Sequence, residues 1–190
     1  VRDEAQIATD ALGNVYMADP QNNRIRKIST AGKVSTIAGS DTAGFRNGNG
    51  SNARFDFPSG IAVDKDGNVY VSDAGNSRIR KISPDGEVTS FAGNGISDNK
   101  DGDASTASFY YPTDLAIDGA GNLFVIDLDR IRKITPQGAV STIAGSTSGY
   151  VDGDATLAKF NSPAGIGIDA QGNIYVADTD NNRIRKISLQ

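Results

Sequence analysis

The sequence predicts an all-β protein, a β-propeller of four-stranded antiparallel blades. Three observations carry this: a fourfold internal repeat, short apolar runs between Gly-rich turns, and runs that are apolar on both faces. The repeat is plainest in Gly13–Asp19, Gly67–Asp73, Gly121–Asp127 and Gly172–Asp178, which align without gaps and start 54, 54 and 51 residues apart.

Each copy divides the same way. Strand A is Ile7 to Asp10, Ile61 to Asp64, Leu115 to Asp118 and Ile166 to Asp169. It alternates large with small residues, as in Ile166-Gly167-Ile168, which suits the innermost position where blades converge. A turn ending Gly-Asn follows, a hairpin signal because these residues accept the backbone that tight turns need. In strand B of the second copy Val69 and Val71 face one way and Tyr70 the other, so both faces call for cover, as in stacked blades. Strand C is Arg-Ile-Arg-Lys-Ile, intact from Arg24, Arg78, Arg130 and Arg183. Strand D is Val34 to Ala38, Val88 to Ala92 and Val140 to Ala144.

The connections Gly39 to Gly60, Gly93 to Asp114 and Gly145 to Gly165 exceed the usual loop length of about 12–15 residues. Each carries a Phe (Phe55, Phe109, Phe160) at a fixed offset before a Pro (Pro58, Pro112, Pro163), so the rings are expected to anchor folded loops. One domain is predicted, with blades near 1–39, 55–93, 109–145 and 160–190 and loops 40–54, 94–108 and 146–159. The third copy has two residues fewer between Asp127 and Arg130, which predicts a tighter hairpin. The first copy has Glu4-Ala5-Gln6 where later ones have Pro-x-Gly or Pro-x-Asp. The fourth copy lacks its outer strand D, and an uncovered edge is a liability, so further blades or a second copy are expected to complete the ring.

Composition narrows the function. The 190 residues hold no Cys and no His, which removes disulfides, thiolate sites, the commonest general base and the commonest zinc ligand. Net charge is −4, which opposes non-specific attraction to nucleic acid. No apolar run reaches membrane-spanning length, and Val1 to Gln6 do not read as a signal peptide. Of the acids only Glu4 and Glu87 are glutamates; the rest are aspartates, whose short side chains close turns.

The elements Pro58 to Asp64, Gly67 to Asp73 and Asn76 to Ile79, repeated along nearly the whole chain, resemble the NHL-repeat family. That resemblance implies a propeller, commonly six-bladed, used mostly as a scaffold for protein, RNA or other ligands. It also brings in propeller lactonases, which hold calcium, and lyases that need His, which this chain lacks.

Candidate residues follow. Aspartates ending strand B (Asp19, Asp73, Asp127, Asp178) are expected to pair between blades with Arg24, Arg78, Arg130 and Arg183; the alternative makes the Arg-Ile-Arg-Lys strands an RNA surface. Asp98, Asp101, Asp103, Asp152 and Asp154 are carboxylates at near-alternate loop positions that calcium would suit, although the EF-hand spacing is absent. The aspartates ending strand A are read as closing the A–B turns. Phe45, Arg46, Tyr110, Tyr111 and Tyr150 are the expected ligand contacts, because aromatics and Arg dominate binding surfaces. The reading is a non-enzymatic module for a protein or glycan, without catalytic residues or cofactor, suited to a bacterial surface or periplasm. A calcium-dependent hydrolase or lyase completed by residues outside the chain is the alternative.

Overall fold

The computed structural model describes residues 5–188, so Glu4 and Gln190 lie outside the described residues. Sixteen strands build four antiparallel sheets arranged as propeller blades. Blade 1 is β1 (Ile7–Thr9), β2 (Val15–Asp19), β3 (Arg24–Ile28) and β4 (Val34–Gly39). The two-residue β5 (Gly48–Asn49) lies in the first long loop and pairs with the outer strand of blade 2. Blade 2 continues with β6 (Pro58–Val63), β7 (Val69–Asp73), β8 (Arg78–Ile82) and β9 (Glu87–Ala92). Blade 3 is β10 (Pro112–Ile117), β11 (Leu123–Asp127), β12 (Arg130–Ile134) and β13 (Val140–Ala144). Blade 4 is the three-stranded sheet β14 (Pro163–Ile168), β15 (Ile174–Asp178) and β16 (Arg183–Ile187).

The turns show why these residues form blades. Asp64 Oδ1 accepts the N–H groups of Asp66 and Asn68 at 2.9 and 2.8 Å, and its Oδ2 accepts from Asn68 Nδ2 at 2.7 Å. Asp10, Asp118 and Asp169 close their A–B turns with the same Asn contact. Between β7 and β8 the chain makes a 3-10 turn, Ala74–Asn76, that ends on Ser77 in the left-handed region, φ 52°. Blade 3 lacks the two residues this needs and turns instead through Leu128, φ 52°, the tighter hairpin expected.

Blades stack front to back. The front of blade 1 (Tyr16, Ala18, Ile25) packs on the back of blade 2 (Ile61, Val69, Val71), with Ala53 and Phe55 of the connecting loop sealing the seam. Phe109 and Phe160 do the same in the next two seams. Burying one such ring stabilises by about 2–3 kcal/mol, so the loops are part of the core. The innermost strands β6, β10 and β14 lie side by side. There Gly60 leaves no room for a side chain: a Cβ would fall 2.6 Å from Thr113 O and 2.7 Å from Asp114 Cα.

The end blades each keep one face open. Ile184 on the front of blade 4 is 72% exposed, whereas the equivalent Ile79 and Ile131 are fully buried. Ile7 on blade 1 is likewise exposed.

Candidate functional site

The aspartates that end strand B do form buried ion pairs, but with the second arginine of strand C. Asp73 Oδ2 accepts from Arg80 Nη1 at 2.7 Å, Asp127 from Arg132 at 2.8 Å and Asp178 from Arg185 at 2.8 Å. Arg78, Arg130 and Arg183 are therefore not the partners, and each pair belongs to one blade, a correction to the expected inter-blade pairing. Arg78 instead bonds the carbonyls of Asn76 and Asn94, and Arg183 that of Asn181. Arg24 lies 3.6 Å from Asp41, at the surface, and Asp19 accepts from Asn22. The remaining Nη N–H groups of Arg80 reach the carbonyls of Arg54 and Arg46 and Oδ1 of Asn47, so one guanidinium pins the long loop onto its blade, while its buried Nε has no hydrogen-bond partner among the described residues. Burial pushes the Asp73 carboxyl up and the Arg80 guanidinium down, and their mutual attraction opposes both shifts. Arginines so placed are withdrawn from any RNA surface.

The loop aspartates join the same clusters. Asp101 pairs with Arg132 at 2.9 Å and accepts from the Thr142 N–H and hydroxyl. Burial raises its carboxyl, but these bonds and the Arg132 charge outweigh that and hold it below the ordinary range. Asp152 pairs with Arg185 at 2.6 Å and accepts from Tyr150 Oη. Asp98, Asp103 and Asp154 lie in the loop turns, where their backbone groups bond within the loops. Among the described residues no three acids gather as they would around a metal ion.

The five expected ligand contacts do not form one surface. Phe45 and Tyr150 occupy equivalent places in different loops, stacked under Arg78 (4.0 Å) and Arg183 (4.2 Å). The Arg46 backbone bonds Arg54 and Arg80. Tyr110 is exposed, and its N–H, like that of Tyr111, donates to Asp127 Oδ1. Tyr111 alone of the five lines the main cavity.

That cavity, of about 510 Å3, opens where the long loops and B–C turns meet the starts of the innermost strands. Its walls include Phe57, Ser59, Tyr111, Thr113 and Asp114, with Asp129, Ser162 and Asp180 toward blade 4. Ser59 Oγ donates to Thr113 O at 2.7 Å, closing the seam between blades 2 and 3. Asp114, 8% exposed, accepts from its neighbour Leu115 N–H at 2.9 Å and from Ile166 N–H of blade 4 at 3.0 Å. Burial pushes its carboxyl up to about 6 against those two bonds. Three wall residues, Phe57, Leu128 and Ser162, hold positive φ of 53°, 52° and 49°. Such conformations cost a non-Gly residue roughly 1–2 kcal/mol; the same φ recurs at Asn23, Ser77 and Asn182, which end the other B–C turns, so at Leu128 it belongs to the turn of the repeat.

Sequence reasoning missed Asp114, although a signal was present. It stands where the second and fourth copies have Gly60 and Gly165, the one carboxylate among the innermost glycines. A repeat-breaking polar residue next to the axis is a stronger pointer than aromatic content in the loops.

Comparison with known proteins agrees with this architecture. The profile of the NHL repeat matches residues 55–82 and 160–187. Mouse Teneurin-4 is 30% identical over 215 residues, covering 95% of this chain and 8% of that protein. A protein of unknown function from Bacteroides thetaiotaomicron superposes with a TM-score of 0.78 at 28% identity, over 95% of this chain and 46% of its own. An auxiliary nutrient binding protein from Bacteroides ovatus superposes at 0.72 with 23% identity, over 96% and 47%. The chain thus spans a small part of its curated relative and about half of these two structures.

Proposed function

Because the chain belongs to the NHL-repeat family of β-propellers, we propose that it is a non-enzymatic binding module that seats a protein or glycan ligand in the cavity of its loop face. The observation that carries this reading is the cavity itself. Its walls draw on all four repeats, Gln6 of the first included, and Asp114, the one carboxylate at the innermost position that is Gly60 and Gly165 in its neighbours, lies in it. Pockets of roughly 300–1,000 Å3 with a few convergent polar groups are the usual form of ligand sites. A chain without His or Cys has no common nucleophile activator, and no Ser or Tyr here has an assigned base. The structural likeness to a nutrient binding protein points the same way at the level of fold.

Binding to glycan and peptide arrays tests it, with Ser148→Trp as the blocking variant. Ser148 is exposed on the cavity rim, so the indole narrows the mouth without entering the core. At least one ligand class retained by the protein and released by Ser148→Trp is expected. Array binding that survives Ser148→Trp but fails with Phe45→Ala or Tyr150→Ala would move the site to the outer loops.

A further inference from the structure

We propose that the cavity recognises an organic cation, an ammonium or guanidinium group, either on a peptide side chain or on a free amine. This rests on the cavity being the binding site and adds the chemistry of what enters it.

The inference starts from a comparison of buried acids. Four aspartates are buried among the described residues: Asp73, Asp114, Asp127 and Asp178. Three face a buried arginine at 2.7–2.8 Å. Asp114 has no ion-pair partner among the described residues; two backbone N–H groups are its contacts, and its carboxylate keeps further lone pairs. A carboxylate taken out of water without a counter-charge is costly, and an arriving cation offsets that cost. Where this fold buries an aspartate elsewhere, it supplies that counter-charge from its own chain. Here the open side is a cavity.

The rest of the wall agrees. Asp129 and Asp180 add two more carboxylates, and no Lys or Arg lines the cavity. A concave, low-dielectric wall of one sign focuses its field on the opposite charge, which favours cations and excludes phosphates, uronic acids and other anions. Two aromatic residues, Phe57 and Tyr111, are part of the wall, and aromatic residues are the type on which this chain seats a cation elsewhere, Arg78 over Phe45. Thr113 lies on the same wall, and its Oγ1, shielded from solvent, has no hydrogen-bond partner among the described residues.

Titration calorimetry at pH 7.5 tests this with four probes: cadaverine, a capped peptide carrying one lysine, a capped peptide carrying one arginine, and maltotriose as a neutral control. Calcium chloride serves as a competing simple cation. Saturable binding of at least one organic cation is expected, weakened tenfold or more in Asp114→Asn and in Ser148→Trp, and falling with added salt. Cadaverine alone, or the peptides alone, identifies the source of the charge. Asp129→Asn, on the cavity rim, is expected to weaken binding several-fold and keeps the test decisive if Asp114→Asn does not fold. Maltotriose binding that Ser148→Trp abolishes, without any cation binding, would overturn the cation class and leave the cavity reading standing. Cation binding indifferent to Ser148→Trp, or displaced equally well by calcium, would overturn the proposal; the first of these would also remove the cavity reading.

Discussion

Asp114 Oδ2 accepts the Ile166 N–H at 3.0 Å, so the innermost strands of blades 3 and 4 are tied through a carboxylate. The tie is pH-sensitive. Burial holds the folded carboxyl at about 6, above its ordinary 3.8. Between those values the folded state keeps a proton that the unfolded state releases, so this group's contribution is fully present below pH 3.8 and is lost as pH rises through about 6. The total is about 3 kcal/mol, from roughly 1.4 kcal/mol per unit of pKa. Urea midpoints measured from pH 4 to 7 should show this loss in the native protein and its absence in Asp114→Asn. Parallel pH profiles would contradict it.

Arg132 and Arg183 occupy different positions of the same strand motif in different surroundings. Arg132 is wholly buried against Asp127, and Arg183 is exposed. Arg132→Ala strands a buried carboxylate and is expected to cost about 3–5 kcal/mol, whereas Arg183→Ala should cost under about 1 kcal/mol. Lysine should not rescue position 132, because a point charge cannot reach the four acceptors that the guanidinium serves. Chemical denaturation of the three variants checks this.

Two glycines at equivalent positions should respond differently to alanine. A Cβ at Gly60 meets backbone at 2.6 Å, while one at Gly165 meets only the Ala177 Cβ at 3.6 Å. Gly60→Ala should destabilise by about 1–3 kcal/mol through overpacking, and Gly165→Ala should be near neutral. Melting temperatures of the pair provide the readout.

Ile131 and Ile184 likewise share a repeat position. Ile131→Ala empties a filled seam and should cost about 2–5 kcal/mol; Ile184→Ala, on the open face of blade 4, should cost about 0.5 kcal/mol or less. Equal losses would mean that something covers Ile184 in solution.

The repeat made the blades legible. The spacing of Phe55, Phe109 and Phe160 to the prolines gave away ordered loops, and both rings and prolines are buried. The ion pairs were half legible. Arg78 and Arg80 are two residues apart on one strand and point to the same face, so periodicity cannot choose between them; the choice falls to Arg80 because the loop carbonyls of Arg46 and Arg54 meet it there. Those carbonyls belong to the folded loop and leave no mark in the letters. The cavity was illegible for a related reason. Its walls come from Ser59, Thr113 and Ser162, which become neighbours only when inner strands from three blades converge.

The central claim, that the loop-face cavity holds the ligand, is tested most directly by amide chemical-shift mapping with the tightest-binding array ligand. Shifts concentrated on Ser59, Thr113, Asp114, Leu128 and Ser162 are predicted. Shifts concentrated on the A–B turns of the opposite face, around Asp64 to Asn68 and Asp118 to Asn122, with the cavity residues unmoved, would contradict it.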